Sequence, residues 1–268
     1  AAIVVPGAAK PVAVPSHEAG RTSTVRVVAD SDDAAALADL AARTRVVLTT
    51  VGPYALYGAR LVAACVAAGT HYCDLAGEVQ WIRRMIDKHH EHAAETGARI
   101  VHCCGFDSIP MDIGVYFLQQ EAKQRHGHYC TDIALFVKAM KGAASGGTLA
   151  SMTNVVREAR ADRGVARILA DPYALNPEGE REGPDGRDQQ KVLHDADADN
   201  WTAPFIMAGV NTRVVRRSNA LAGYPYGRDF RYREAVMTGD GPSGWLKGNL
   251  VALGLGALAT GVYFEPTR

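Results

Sequence analysis

Residues 45–69 read RVVLTTVGPYALYGARLVAACVAAG, and this stretch decides the fold. Arg45–Val51 is continuously apolar at Val46, Val47 and Leu48, which predicts a strand buried on both faces. Gly52 and Pro53 then break the run. Leu61, Val62, Cys65 and Val66 recur at helical spacing over 59–68, and Gly69 supplies the stop. A strand, a turn and a helix in this order form half of a βαβ unit.

Working outward, the rhythm repeats. Val25–Ala29 predicts a β-branched strand; Ser31, Asp32 and Asp33 supply an N-cap and an acidic first turn. Ala36, Leu37, Leu40 and Ala41 follow at helical spacing. Downstream, His71–Leu75 predicts a third strand. Val79, Ile82, Met85, Ile86, His89 and Ala93 then share one helix face that Gly97 ends. Ile100–Cys104 predicts a fourth strand. The alternation predicts an α/β fold with a doubly wound parallel sheet and helices on both faces.

After about Gly114 the pattern changes. A helix to about Arg125 leads to a strand of another sheet at Thr131–Met140. A flexible loop is expected at Gly142–Gly147 and a helix at Thr148–Ala170. Residues 171–200, rich in Pro, Gly, Asp and Glu, predict a long surface loop. Strands are predicted near Thr212–Ser218 and Arg228–Met237. The domain expectation is therefore residues 1–115 for the parallel-sheet domain, 116–241 for a second α+β domain with its own sheet, and 242–268 for a C-terminal apolar helical segment. Leu250–Phe264 is too short for a spanning helix, which needs roughly 20 residues. It reads as a buried core helix or, alternatively, as a segment docking on a lipid surface.

Composition excludes several classes. Lys plus Arg and Asp plus Glu both number 29 in 268 residues, so no global field steers the chain toward nucleic acid. Cys65, Cys73, Cys103, Cys104 and Cys130 are odd in number and form no Cys-x-x-Cys pair. A disulfide framework and a zinc knuckle are not indicated, and a reduced, cytosolic compartment is expected. No basic segment precedes the apolar start at Ala1, so a signal peptide is not expected; the absent initiator Met suggests a trimmed chain.

Two loops carry the candidate chemistry, both following predicted parallel strands, where open α/β sheets bind ligands. In Val51–Gly58, Gly52 permits close backbone approach, Pro53 stiffens the turn, and Tyr54 and Tyr57 offer flat hydrogen-bonding surfaces. In Gly105–Asp112, Asp107 or Ser108 could cap the following helix, with Pro110 near its first turn. Each loop also reads as a plain strand-to-helix turn.

Taken in order, Thr50-Val51-Gly52-Pro53-Tyr54, Tyr57-Gly58, Tyr72-Cys73-Asp74-Leu75-Ala76-Gly77-Glu78 and Gly105-Phe106-Asp107-Ser108-Ile109-Pro110 resemble the saccharopine-dehydrogenase-like oxidoreductases. They look closest to the actinobacterial branch described as trans-acting enoyl reductases. Gly147-Thr148-Leu149 and Gly223-Tyr224-Pro225-Tyr226-Gly227 resemble the same branch. The resemblance implies an NAD(P)H-dependent oxidoreductase that reduces an enoyl group of an acyl or polyketide lipid intermediate. It implies that residues 1–115 form an incomplete Rossmann-type NAD(P)-binding domain, without its first strand and glycine loop, and that residues 116–241 form a substrate and dimerisation domain built on a mixed sheet. It implies a cofactor cleft lined by Gly52, Pro53 and Tyr54 and bordered by Gly105, Phe106, Asp107 and Ser108. The two strand tips at 52–58 and 105–112 are expected to share one crevice. Asp74, Gly77 and Glu78 would orient loops or contact the ligand. Tyr54 and Asp107 are the candidate proton sources. NADP is expected, with NAD as the alternative, because Ala19-Gly20-Arg21 echoes a family segment whose Arg reads a 2′-phosphate.

One departure qualifies the match. The family opens on a glycine-rich phosphate turn, whereas residues 1–24 offer only Gly7 and Gly20. Truncation or a scrambled start at the N-terminus is the expected cause, with genuine loss the alternative; truncation at the C-terminus is a separate expectation. The other function class is a non-catalytic, membrane- or lipid-associated protein on a degenerate Rossmann scaffold. A homodimer and peripheral membrane contact complete the partner expectations.

Other signals are weaker. His90-Glu91 lacks the second histidine of a zinc-protease helix, so no metal is expected and His89, His90 and His92 read as a solvated helix face. No Gly-x-Ser-x-Gly elbow and no tyrosine followed four residues later by lysine occurs. Trp81, Trp201 and Trp245 read as packing or interface residues.

Overall fold

The computed structural model describes residues 12–18, 21–27, 29–140 and 146–263, with side chains from 29–140 and 146–257. The expected Gly142–Gly147 loop falls mostly outside these residues, as do Gly7, Gly20, the Arg21 side chain and Phe264. The chain divides into two compact units. The first runs to Gly105 and takes in the helical residues up to Val155; the second holds Phe106 to the 140 region and everything from Val156.

In the first unit, β1 (Val12–Glu18) and β2 (Arg21–Val27) form an antiparallel hairpin. The strand predicted at Val25–Ala29 thus ends earlier and pairs locally. Helix α1 (Ala34–Ala42) starts at Asp33, whose carboxylate accepts from Ala35 N and Ala36 N at 3.0 Å. Strands β3 (Val46–Thr49), β4 (His71–Asp74) and β5 (Ile100–Val101) form a parallel sheet in that order. Between them run α2 (Tyr54–Tyr57), α3 (Ala59–Ala68) and α4 (Val79–Thr96). Gly69 and Gly97 close α3 and α4 in the left-handed region, φ 67° and 74°, where a side chain would be strained.

Helices α1, α3 and α4 pack side by side, and the buried sheet face carries Val47, Thr49, Tyr72 and Asp74. The opposite face carries Val46 and Leu48, 39% and 37% exposed, with Val101 more exposed still. The prediction of a strand buried on both sides is therefore corrected for β3: successive side chains alternate, and among the described residues one face is covered. Strand β5 is also shorter than predicted, because Cys103 turns to φ 60°.

The second unit opens with α5 (Ile109–His126) and β6 (Asp132–Val137). The helix predicted at 148–170 is two, α6 (Gly146–Ala161), whose residues up to Val155 belong to the first unit, and α7 (Arg163–Ala170), broken where Asp162 caps α7 by accepting from Gly164 N at 2.6 Å. Then come β7 (Leu193–Asp195), β8 (Asn200–Ala203), α8 (Ala208–Leu221), β9 (Arg231–Gly239) and α9 (Gly241–Tyr263). The sheet order is β6-β9-β8-β7, with β6 parallel to β9 and the other pairs antiparallel. This is the mixed sheet that the family resemblance implied. Val115, Ile133, Val215, Phe230 and Tyr232 form its core cluster.

Two predictions are corrected here. The strand expected at Thr212–Ser218 is the middle of α8. Ala208, Asn211, Thr212, Val215 and Asn219 are buried at helical spacing, and tertiary packing overrides the β-branched run. The 171–200 region is not wholly a surface loop. Tyr173, Ala174, Leu175 and Asn176 are buried. Arg213 donates to Leu169 O, Asp171 O and Asp188, and Arg216 donates to Pro172 O and Asp185, so buried guanidiniums of α8 tie the segment down. Helix α9 lies on β8 and β9 with Gly244 and Gly248 facing inward. A Cβ at Gly248 would come 2.9 Å from Val192. No described helix is long and apolar enough to cross a membrane.

Candidate cofactor-binding site

The turn after β3 is held by a carboxylate from the next βα loop. Glu78, buried just before α4, accepts from Tyr54 N at 2.7 Å and Ala55 N at 3.0 Å, and from Ser151 Oγ at 2.9 Å. The N–H groups that open α2 would otherwise be unsatisfied. A negative charge at a helix start is favourable, so Glu78 fixes the Gly52–Pro53–Tyr54 turn from inside the unit.

Tyr54 is a second pin. Its ring is 5% exposed and lies 5.6 Å from Trp81. The hydroxyl donates to Thr49 O at 3.2 Å and accepts from Leu75 N at 3.2 Å, linking the ends of β3 and β4. Burial pushes its pKa up to about 12. Gly58 has no room for a side chain: a Cβ would sit 2.6 Å from the Trp81 ring. At Gly52 a Cβ would meet Ser151 Oγ at 3.3 Å and the Tyr54 ring at 3.4 Å, which leaves the backbone there open to close approach only as glycine.

The ends of β4 and β5 carry a buried acid–imidazole pair, of which the sequence reading named Asp74 but not His102. Asp74 is 0% exposed, and its Oδ2 lies 2.6 Å from His102 Nδ1. Its Oδ1 accepts from Ala76 N at 2.9 Å and Cys103 N at 3.2 Å, holding the chain as it leaves β5. Trp81 stands edge-on to His102 at 5.0 Å. Cys103 and Cys104, placed by the sequence in the strand predicted at Ile100–Cys104, lie past its end; Cys103 is buried and Cys104 half-buried. Burial pushes the Cys65 thiol up to about 12 and the Cys104 thiol up to about 11, which disfavours reactive thiolates.

In the second unit, Phe106 is 91% exposed, Asp107 is exposed and Ser108 is buried. Ser108 stands at the N-cap of α5 without a side-chain capping bond, and Pro110 occupies the first turn. Asn211 of α8 donates through Nδ2 to Asp107 O at 2.9 Å and to Glu234 Oε2 at 3.1 Å. Tyr232 Oη donates to Glu234 Oε1 at 2.8 Å. Burial holds the Glu234 carboxyl up at about 7, against hydrogen bonds from Tyr232 and Asn211 that pull it down. Ser218 Oγ donates to Asp112 Oδ2 at 3.0 Å, and burial raises the Asp112 pKa.

Of the expected site residues, Gly52, Pro53, Tyr54 and Gly105 belong to the first unit, and Phe106, Asp107 and Ser108 to the second. Glu78 and Asp74 act as loop-orienting groups within the first. The signal that could have exposed His102 was its polarity after the apolar Ile100-Val101, which demands a partner. Asn211 carries no such local signal, because its partner Asp107 lies 104 residues away. His89 corrects the reading of a wholly solvated histidine face: it is buried, and burial lowers its pKa, whereas His90 and His92 are exposed. Among the described residues no cluster of His, Cys, Asp and Glu is placed to hold a metal.

Comparison with known proteins agrees with the motif reading. Residues 3–101 match the family model described as the Saccharopine dehydrogenase NADP binding domain. A Mycobacterium tuberculosis protein provisionally named a trans-acting enoyl reductase is 48% identical over 220 residues, 80% of this chain and 52% of its own length. The trans-acting enoyl reductases of Mycobacterium bovis and Mycobacterium ulcerans are 44% and 43% identical over 225 and 224 residues, again 80% of this chain and 53% of their own lengths. The chain thus spans about half the length of the curated relatives it matches. No solved structure matches.

Proposed function

We propose that this chain is part of an NADPH-dependent reductase acting on the enoyl group of an acyl or polyketide lipid intermediate. The observation that carries the reading is the Glu78-held Gly52–Pro53–Tyr54 turn at the carboxyl end of a parallel sheet, within a region matching an NADP-binding family. Identity to proteins named trans-acting enoyl reductases supports the enoyl part of this reading.

The residues present fit the uncharged end of that cofactor. Gly52 allows close backbone approach, and the N–H groups opening α2 already face Glu78. An anionic pyrophosphate is therefore disfavoured at α2, where it would meet a buried carboxylate. Gly52, Pro53 and Gly105 would border the nicotinamide; Phe106, Asp107 and Ser108 keep the cofactor-binding role that the resemblance gives them. Bound NADPH supplies the reducing equivalent, and the protein's part is orientation and a proton. Asp107, with its side chain exposed, is our candidate for that proton; Tyr54, with both hydroxyl bonds taken internally, is better suited to holding the turn.

Titration of the full-length protein with NADPH, followed by nicotinamide fluorescence, tests the reading. A saturable signal and cofactor oxidation with an α,β-unsaturated acyl thioester are expected. No binding at millimolar NADPH would overturn it. A second reading, association with a lipid surface, has one observation in its favour: Leu246, Leu250 and Leu253 are exposed along one side of α9. Flotation with anionic liposomes tests it, and protein left at the bottom of the gradient removes it.

A further inference from the structure

The Phe106–Asp112 segment is fastened at two points by one helix. Asn211 and Ser218, seven residues apart, lie about two turns apart on α8. Asn211 takes the Asp107 carbonyl and Ser218 the Asp112 carboxylate. Helices α5 and α8 meet through the core cluster, where Val115 and Val215 pack with Tyr232. The backbone of the turn is thereby fixed to the centre of the second unit, while the Phe106 and Asp107 side chains stay exposed.

Asn211 is itself held. Its Nδ2 has two hydrogens, one for Asp107 O and one for Glu234 Oε2, and both acceptors are in place. Rotating the amide by half a turn would set its oxygen against two acceptors, so Glu234 fixes the amide's orientation. Glu234 is in turn positioned by Tyr232 Oη, and Asp188 and Arg216 are the other charged groups that act on it. Among the described residues Asn211 Oδ1 is buried without a partner. Leaving such an oxygen unpaired is costly, and cores rarely keep one without a task. An apolar residue at 211 would avoid that cost but could not hold the Asp107 carbonyl.

We propose that Asn211, oriented by Glu234, is a positioning residue that sets the Phe106–Asp107–Ser108 turn for turnover. The proposal rests on the reading of that turn as part of the cofactor and substrate site. Asn211 touches no reacting atom; it acts through the Asp107 backbone.

The test pairs amide hydrogen exchange over residues 106–112 with steady-state kinetics on full-length protein. Asn211→Ala is expected to speed exchange of the Ser108, Ile109, Met111 and Asp112 amides roughly tenfold, the consequence of one lost buried hydrogen bond. It should lower kcat by a similar factor with a smaller change in KM for NADPH. Ser218→Ala, a milder change, should show the same pattern weakly, which keeps the test open if Asn211→Ala folds poorly. Glu234→Gln keeps an oxygen for the Asn211 amide and should stay near wild type, while Glu234→Leu should resemble Asn211→Ala. Unchanged exchange in both Asn211→Ala and Ser218→Ala would overturn the clamp. Faster exchange with unchanged kcat and KM would overturn its role in turnover. If the wild type neither binds NADPH nor turns over, the proposed function fails, and the exchange comparison still decides the clamp.

Discussion

Glu78 reaches back across 24 residues to accept the Tyr54 amide at 2.7 Å, so the loop after β4 holds the loop after β3. The same carboxylate also takes Ala55 N and Ser151 Oγ. An amide in its place can offer only one acceptor oxygen, so Glu78→Gln turns an N–H group toward one of those donors. A loss of about 1–3 kcal/mol is expected, the cost of a buried donor left unmet. The measurement is the urea midpoint at pH 7, with NADPH affinity alongside. A midpoint equal to wild type would show that Glu78 does not hold the turn.

Removing the Tyr54 hydroxyl separates a holding role from proton donation. Tyr54→Phe frees Thr49 O and Leu75 N, for an expected loss of about 1–2 kcal/mol. With its pKa pushed up to about 12, Tyr54 gives no ionisation limb to a rate profile at neutral pH. The variant should therefore keep the shape of kcat against pH while weakening NADPH binding. A profile that flattens or loses a limb in Tyr54→Phe would return the proton-donor role to this residue.

Much of the first unit was readable because its signals are local. Leu61, Val62, Cys65 and Val66 fall on one face of α3, and Gly69 stops it through its own backbone. The α8 misreading has the opposite cause. Thr212, Val214 and Val215 favour a strand locally, but the helix is fixed by buried Arg213 and Arg216 finding Asp188 and Asp185, 25 and 31 residues away. The site divides in the same way. Gly52, Pro53, Tyr54 and Asp107 stood out by their place after strands. The groups that hold them, such as Asn211 at 104 residues from Asp107, are visible only when the chain is folded.

Gly58 tests how closely the turn is packed. Its φ is −82°, which any residue tolerates, so strain is not at issue. An added Cβ would come 2.6 Å from the Trp81 ring and 2.9 Å from Tyr54 O. Both neighbours are buried, so Gly58→Ala should destabilise by about 1–3 kcal/mol through overpacking. Near-ultraviolet circular dichroism should show the displaced Trp81. A neutral substitution with an unchanged spectrum would mean that the ring yields freely.

Asp74 and His102 form a pair whose worth is best measured by breaking it. His102→Phe keeps the aromatic contact with Trp81 but removes the nitrogen 2.6 Å from Asp74 Oδ2. The carboxylate is fully buried and would be left unmet on that side, for an expected loss of about 2–3 kcal/mol. Because the two act together, adding Asp74→Asn to His102→Phe should cost less than the sum of the single changes. Strict additivity in urea denaturation would show that the pair is not coupled.

Glu234 gives the pH prediction. Its carboxyl sits at about 7 in the folded unit against an ordinary 4.5, with burial the leading cause. Between these values the unfolded chain has released the proton while the folded one retains it. The folded state then binds more protons, and stability falls as pH rises. The contribution is complete below about pH 4.5, lost as pH rises through about 7, and constant above. At about 1.4 kcal/mol per pH unit the span from 4.5 to about 7 corresponds to about 3 kcal/mol, with no discount for solvent because Glu234 is buried. Glu234→Gln carries no charge to desolvate, so the variant should gain on wild type by that amount between pH 4 and 8. Taking the difference of the two stability curves cancels every other titrating group. A difference that stays flat across this range would place the Glu234 pKa near its ordinary value and remove the buried charge from the second unit's core.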